Sequence, residues 1–282
     1  MYKVLKKTEL APSILDLYVI EAPKVAAKAR AGQFIILRID GQGERIPLTI
    51  ADFDREKGTV TLVAQRAGKT TTQMGKLRAG DSIADFVGPL GEPTHIENYG
   101  RVVTVGGGVG VAPTHPIARA LKEAGNEVIS IIGARTRDLL FWEEEMRKVC
   151  TRLLVTTDDG SYVRKGFVTD VLKEVMDEKK PDLVVAIGPQ PMMRAVCNLT
   201  REYGVKTIVS LNSIMVDGTG MCGCCRVTVG GKTRFVCVDG PDFDGHEVDF
   251  AELARRSALY REQEKDSLDR YTQRCQCHGG EH

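Results

Sequence analysis

RVVTVGGGVGVAPTHPIARALKEAG, residues 101–125, passes from a continuous apolar run through a glycine-rich turn into an amphipathic segment closed by Gly125. A strand that is apolar without alternation is buried on both faces, which calls for a parallel sheet with helices above and below. The same texture returns in EVISIIGART, RLLVTTDD and DLVVAIGP, each followed by a helical segment. In such sheets ligands bind at the carboxyl ends of the strands. Gly106, Gly107, Gly108 and Gly110, followed by Val111, stand at one such end, before a helix expected to begin near Pro113. They let a nicotinamide dinucleotide approach the backbone, and the helix dipole favours its phosphates. A lone turn of this kind also serves simply to pack a helix tightly. Asp158 and Asp159 in TTDDGS stand where an adenosine ribose would lie. Carboxylates there accept ribose hydroxyls and repel a 2′-phosphate, which favours NAD over NADP. A solvated turn is the plainer reading, and Arg164 and Lys165 keep NADP open. His115 follows the glycine turn and is expected to pack or face solvent rather than act as a base.

Upstream, the first hundred residues read as antiparallel β. KVLKKTEL, ILDLYVIEA, GQFIILRID, PLTIADFD, GTVTLVAQRA and DSIADFVGPLG are short, mostly alternating runs separated by Gly, Pro or Asp, which predicts a small barrel or sandwich. Two inserts carry chemistry. GERIPLTI sets Arg45, Pro47, Leu48 and Thr49 at a strand start, and RAGKTTTQM opens a helix with Gly68, Thr70, Thr71 and Thr72. Backbone N–H groups and hydroxyls at a helix start suit a pyrophosphate, though a threonine-rich start is commonly only a cap.

Downstream, four of the eight cysteines fall in DGTGMCGCCRVTVGGKTRFVCVDGP, residues 217–241. Asp217, Cys222, Cys225 and Cys237 follow the plant-type 2Fe–2S spacing, with aspartate in the first ligand position. RVTV and KTRFVCV flank Gly230-Gly231 as a two-residue hairpin. Pairing Val229 with Lys232 sets Cys237 opposite Cys224 and beside Cys225; the spacing selects Cys225 and leaves Cys224 spare. A zinc knuckle and a disulfide pair are the rivals, and zinc more usually takes ligands in closer pairs. The charged segment after the cysteines reads as one or two amphipathic helices that either cap the domain or dock a partner. At the end, Cys275, Cys277 and His278 form a tail that could take metal or simply be flexible.

An Arg-x-Pro-Leu-Thr strand, a Gly-x-Thr-Thr helix start and a GPLG turn, in that order, resemble the ferredoxin–NADP reductase superfamily. The resemblance implies a multi-domain β and α/β protein. Residues 1–98 would be an FAD-binding antiparallel β-barrel and residues 99–208 a Rossmann-like nicotinamide domain. Residues 209–282 would form a 2Fe–2S module with a helical tail. It assigns Arg45, Pro47, Leu48 and Thr49 to the flavin and its phosphates, and Gly68, Thr70, Thr71 and Thr72 to the pyrophosphate. Val63, Ala64 and Gln65 would run along the isoalloxazine edge. Arg45 stands four residues before Thr49, where the superfamily pattern has three, so its contact is left open. Ala134 and Arg135 in GARTRDLLF, with Gly188, Pro189 and Met192 in GPQPMM, match the nicotinamide-side motifs.

The domain order is similar to that of the electron-transfer subunits found with dihydroorotate dehydrogenase B, sulfide dehydrogenase and NADH-dependent reduced ferredoxin:NADP oxidoreductase. The dihydroorotate dehydrogenase type has four cysteine ligands, so Asp217 points to the small subunit of the last. That likeness implies FAD, NAD(H) and a 2Fe–2S cluster in this chain, and flavin-based bifurcation in the complex. It also implies a large iron–sulfur flavoprotein partner with FAD, 4Fe–4S clusters and an NADP(H) site, through which ferredoxin is served. No side chain suggests oxidation of a carbon substrate, so no catalytic residue is assigned. A stand-alone NAD(P)H:ferredoxin reductase and a non-enzymatic redox sensor remain as other classes. A formal net charge of +1 over 282 residues gives no electrostatic reason to expect nucleic acid or an anionic membrane. Clustered cysteines behind MYKVLKKTEL, which has no signal-peptide core, lead to the expectation of a cytoplasmic protein.

Overall fold

The computed structural model describes residues 1–278, with side chains described through Gln273. Seven strands form the first sheet: β1 (Tyr2–Ala11), β2 (Leu15–Glu21), β3 (Phe34–Arg38), β4 (Ile46–Asp54), β5 (Thr59–Gln65), β6 (Ser82–Ile83) and β7 (Asp85–Leu90). Their order, β6-β1-β2-β5-β4-β3-β7, is antiparallel throughout and nearly closes into a barrel. Alternation puts Tyr18, Ile20, Ile35, Leu37, Leu62 and Ala64 inside, with the short helix α1 (Pro23–Ala26) packed beside them. Helix α2 (Lys69–Met74) is the glycine–threonine insert.

The second sheet has the order β10-β9-β8-β11-β12-β15. It comprises β8 (Arg101–Gly107), β9 (Glu127–Ala134), β10 (Arg152–Thr157), β11 (Leu183–Ile187), β12 (Lys206–Ser210) and β15 (Asp242–Asp244). All pairs are parallel except β12 with β15. Helices α3 (Val111–Glu123), α4 (Glu143–Val149), α5 (Val168–Glu178) and α6 (Gln190–Glu202) make the crossovers. A short 3₁₀ turn, Gly108–Gly110, precedes α3, so the helix starts before Pro113. The strand order reverses between β8 and β11, the place where such sheets bind ligands.

Two features differ from the sequence reading. KTIVS is a fifth parallel strand, so the expected boundary at residue 208 falls inside β12. The chain then leaves to form the hairpin β13 (Arg226–Val229) and β14 (Lys232–Phe235) and the turn α7 (Val236–Asp239). It returns as β15, pairing Phe243 with Val209. Cys225, Val227, Val236, Cys237 and Phe243 share one buried core with Val103 and Val105 of β8 and with Phe34 and Ile36 of the barrel. The cysteine-bearing segment is therefore built into the other two units rather than tethered to them. Helix α8 (Phe250–Ser257) is capped by the Asp249 carboxylate, which accepts from the Glu252 N–H at 2.8 Å, and buries Phe250 and Leu253. Helix α9 (Arg261–His278) follows; the Cys275, Cys277 and His278 side chains lie outside the described residues. Among the described residues no helix is long and apolar enough to cross a membrane.

Candidate functional site

A cleft of about 1070 Å³ opens between β4, the N-terminus of α2, the segment 212–216 after β12, and α9. Arg45, Pro47, Leu48, Gly68, Thr70 and Thr71 line it; Gln190, Ser213 and Met215 form the opposite wall. Ser213 is 9% exposed and its Oγ has no hydrogen-bond partner, so the cleft offers a buried polar group to a ligand. A methyl group on Gly68 would meet nothing within 4 Å, which leaves the α2 entrance open. The cleft suits a flavin dinucleotide in size and in its mixture of apolar wall and backbone donors.

The threonines divide their work. Thr71 Oγ1 accepts from the N–H groups of Ala67 and Gly68, both at 3.0 Å, and so caps α2 itself. Thr70 Oγ1 donates to Glu44 Oε2 at 2.7 Å, and Lys69 Nζ lies 3.3 Å from Glu44 Oε1. Burial raises the Glu44 pKa, but the hydrogen bonds from Thr70 and Lys69 outweigh it and hold the carboxyl below its ordinary value. Glu44 thus occupies the Thr70 hydroxyl, which the sequence assigns to the pyrophosphate, together with Lys69. Thr72 lies one turn inside α2, with its N–H donating to the Gly68 carbonyl at 2.9 Å. Thr49 pairs with Phe34 in the sheet, while Val63 and Ala64 are buried and Gln65 is exposed.

Arg45 makes a contact that its motif did not foretell. Its Nε donates to the Val216 carbonyl at 2.8 Å and a terminal nitrogen donates to the Asp217 carbonyl at 3.3 Å. The first residue of the cysteine motif is thereby fastened to the cleft. A methyl group on Gly218 would stand 2.9 Å from both Ile36 and Leu90, so the same loop lies directly on the barrel.

Within the loop the hairpin register is Val229 to Lys232 and Arg226 to Phe235. The ladder stops there, and the turn at Val236–Asp239 swings Cys237 onto Cys225. Their sulfurs are 3.2 Å apart and buried, and the Cys237 N–H points at Cys225 Sγ at 3.5 Å. Burial beside Cys225 pushes the Cys237 thiol up to about 12, and a positive centre bound there would draw off its proton. Cys222 is exposed, and the Cys224 and Asp217 N–H groups and the Cys224 thiol hold its pKa below the ordinary thiol value. The Asp217 carboxylate accepts from the N–H of Thr219 at 3.1 Å and from its hydroxyl. Among the described residues no three Cys, His, Asp or Glu side chains converge as a ready-made cage for one ion. What the loop presents is one close buried pair and one exposed thiol beside a carboxylate, a donor set suited to two irons rather than one.

At the strand switch, the glycines serve packing as well as access. A methyl group on Gly110 would lie 2.2 Å from the Ile187 carbonyl oxygen, and one on Gly107 would lie 2.2 Å from Met192 Sδ. Gly106 faces Val111 and Thr114 closely, and Gly188 faces Met192. Gly108, at φ +55°, has nothing within 4 Å and is the turn's open position. The turn Gly108–Gly110 packs against β5, the strand that ends in Val63, Ala64 and Gln65. Pro189 is exposed at the head of α6.

In the turn after β10, the N–H groups of Asp158 and Asp159 donate to the carbonyls of Ala134 and Arg135 at 3.0 and 3.2 Å. Of these two, Asp158 is the one whose carboxylate has no hydrogen-bond partner among the described residues; burial, opposed by Arg135, raises its pKa. Asp159 Oδ1 accepts from the Ser161 N–H at 2.9 Å and its hydroxyl at 2.6 Å, which closes the turn. Arg164 is forked onto Glu174 and turned away. His115 is buried edge-on to Trp142 at 5.2 Å, and burial lowers its pKa. Residues 212–216, Gln190 and α9 were missed as cleft walls, because no local motif marks them; Glu44, beside Arg45, had a neighbour that could have pointed to it.

Two family models match the chain: the iron–sulfur cluster binding domain of dihydroorotate dehydrogenase B over residues 212–249, and the oxidoreductase NAD-binding domain over residues 104–198. A Thermotoga maritima dihydroorotate dehydrogenase B electron transfer subunit homolog is 51% identical, with 95% of each chain covered. A Methanopyrus kandleri probable dihydroorotate dehydrogenase B electron transfer subunit is 36% identical over 82% of this chain and 85% of that one. A solved structure of NADH-dependent reduced ferredoxin-NADP oxidoreductase, studied for flavin-based electron bifurcation, superposes with a TM-score of 0.92 at 49% identity. It covers 96% of this chain and 98% of that one. On these identities and coverages, the chain belongs to the dihydroorotate dehydrogenase B electron-transfer-subunit family and is an oxidoreductase subunit of the ferredoxin–NADP reductase fold.

Proposed function

We propose that this chain exchanges hydride between NAD(H) and FAD and single electrons with a 2Fe–2S cluster, as the small subunit of an electron-bifurcating NADH-dependent reduced ferredoxin:NADP oxidoreductase. One observation carries the reading: the stretches assigned to the three groups touch one another. The Gly108–Gly110 turn lies on β5, and Arg45 joins the flavin cleft to the backbone of Asp217.

When bound, FAD converts a two-electron hydride into the single electrons that a 2Fe–2S cluster accepts. The chain's own residues set the positions. Pro47, Leu48 and Thr49 would hold the ring and Val63, Ala64 and Gln65 would border it, while the α2 entrance opened by Gly68 and shaped by Thr70, Thr71 and Thr72 would face the phosphate. Gly106, Gly107, Gly108, Gly110 and Val111, with Ala134, Arg135, Gly188, Pro189 and Met192, hold the nicotinamide dinucleotide at the strand ends. Asp158 takes the ribose hydroxyls and repels a 2′-phosphate. Asp217, Cys222, Cys225 and Cys237 would hold the cluster, with Cys225 and Cys237 supplying the close buried pair. Residues 1–98, 99–208 and 209–282 carry the three functions in turn. The partner is a large iron–sulfur flavoprotein with its own FAD, 4Fe–4S clusters and NADP(H) site, serving ferredoxin in a cytoplasmic complex. Service to a dihydroorotate dehydrogenase is the second reading, favoured by the family model over residues 212–249.

The test is NADH against NADPH as donor to a one-electron acceptor with the purified chain. NADH should be strongly preferred, and Asp158→Ala should erode that preference without removing the cluster spectrum. Equal use of both donors by the wild type would refute the NAD assignment.

A further inference from the structure

Helix α9 has no apolar seam to hold it. Across Arg261–His278 it is dense in charge, and Leu268 and Tyr271 are its only large apolar side chains. A helix polar on every side is not fixed by burial, and an isolated helix of this length is marginal in water. Yet α9 lies across the mouth of the flavin cleft. Among the described residues its specific contacts to the barrel are polar: Ser267 Oγ to Glu44 Oε1 at 3.2 Å, and Lys76 Nζ over the Tyr271 ring at 4.7 Å. Arg261, Glu264, Lys265 and Leu268 line the cleft, and their spacing places them on one face of the helix.

The charges of the cleft show what that face is for. A dinucleotide's diphosphate brings negative charge that cations would offset beyond what the α2 N–H groups supply. Of the barrel's two, Arg45 is committed to the carbonyls of Val216 and Asp217, and Lys69 to Glu44. Glu44 adds a negative charge on the barrel wall, and Glu264 adds one on the α9 face between Arg261 and Lys265. Arg261 and Lys265 are the remaining cations lining the cleft, and neither side chain has a hydrogen bond or ion pair among the described residues.

We propose that α9 is a clamp over the bound FAD, with Arg261 and Lys265 supplying the positive charge for its diphosphate and the cofactor in turn fixing the helix. The proposal rests on FAD occupying this cleft. It makes the C-terminal helix part of the cofactor site, and flavin occupancy a control on the outer surface of the subunit.

The test uses the full chain, stripped of flavin and retaining its cluster, and reads FAD binding by quenching of flavin fluorescence. Arg261→Glu and Lys265→Glu should each weaken FAD by roughly ten-fold, with a shallower dependence on salt. In the wild type, FAD should protect the Arg261 and Lys265 peptide bonds from trypsin. Both side chains are exposed, so the cluster spectrum and far-UV circular dichroism should be unchanged in the variants. Wild-type affinity in both variants, or trypsin cleavage at these bonds that FAD does not slow, overturns the clamp. Failure of the wild type to bind FAD at all would overturn the flavin assignment itself, which the comparison of variants keeps separate.

Discussion

Substituting Gly110 by alanine is a clean steric probe of the strand switch. Gly110 has φ −62°, which alanine adopts freely, so backbone strain does not enter. The added methyl would stand 2.2 Å from the Ile187 carbonyl oxygen, 2.7 Å from its carbon and 2.9 Å from Gly188 Cα. All three are main-chain atoms, and no rotamer change relieves them. The turn and the end of β11 must part by about 1 Å to restore van der Waals contact. The β8–β11 ladder, which runs to the pairing of Gly106 with Ile187, opposes that movement. Overpacking of this kind costs about 1–3 kcal/mol, offset by less than about 1 kcal/mol from the stiffer unfolded chain. A net loss of about 1–2 kcal/mol is expected in urea unfolding. Flavin reduction by NADH should slow more, by up to about a hundred-fold, because a 1 Å displacement falls at the turn proposed to aim the nicotinamide. Gly41→Ala is the control, since a methyl there meets nothing within 4 Å. If Gly110→Ala matches that control in stability and reduction rate, the close approach of the two strand ends has been misread.

Three further outcomes are expected. Asp16 is fully buried and accepts from Arg66 at 2.6 and 2.8 Å and from Tyr18 at 3.2 Å; Asp16→Ala should lose about 2–3 kcal/mol in urea unfolding, because it leaves the partly buried guanidinium with Glu9 alone and removes two charge-assisted hydrogen bonds. Burial raises the Asp16 pKa, but Arg66 and Lys7 outweigh it and bring it below 3.8, so its stabilisation is present above that value and lost as pH falls through the lower folded pKa. Asp242 is the opposite case: burial raises its pKa despite Thr94 and Ser210, so its contribution is present below 3.8 and lost as pH rises through the folded pKa. Asp242→Asn should therefore flatten the fall in stability between acid and alkaline pH, measured by urea unfolding along the pH series. Asp217→Cys exchanges an oxygen for a more strongly donating thiolate. Redox-poised EPR should find the midpoint moved down toward the roughly −400 mV of plant-type clusters, with its pH dependence reduced; an unchanged midpoint would remove Asp217 from the ligand set.

The barrel and the parallel sheet were legible because their signals are local. Alternating runs such as ILDLYVIEA and continuous ones such as RVVTV differ in period, and the period reports how many faces are buried. Motif order was legible for the same reason. KTIVS was not, since five residues without a following helical segment carry little pattern. The return of Phe243 to pair with Val209 is a non-local contact and leaves no periodic trace. Arg45 illustrates the limit within a motif: its one-residue offset was visible, but its bond to the carbonyl of Asp217 depends on a loop 172 residues away. Asp158 and Asp159 look equivalent in sequence, and only the turn closed by Ser161 separates them.

The most direct test of the nicotinamide–flavin–cluster relay is an anaerobic titration of the purified chain with NADH, followed by visible and EPR spectroscopy. The account predicts that flavin absorbance bleaches together with the appearance of a rhombic 2Fe–2S signal. A flavin that bleaches while the cluster stays oxidised would contradict it.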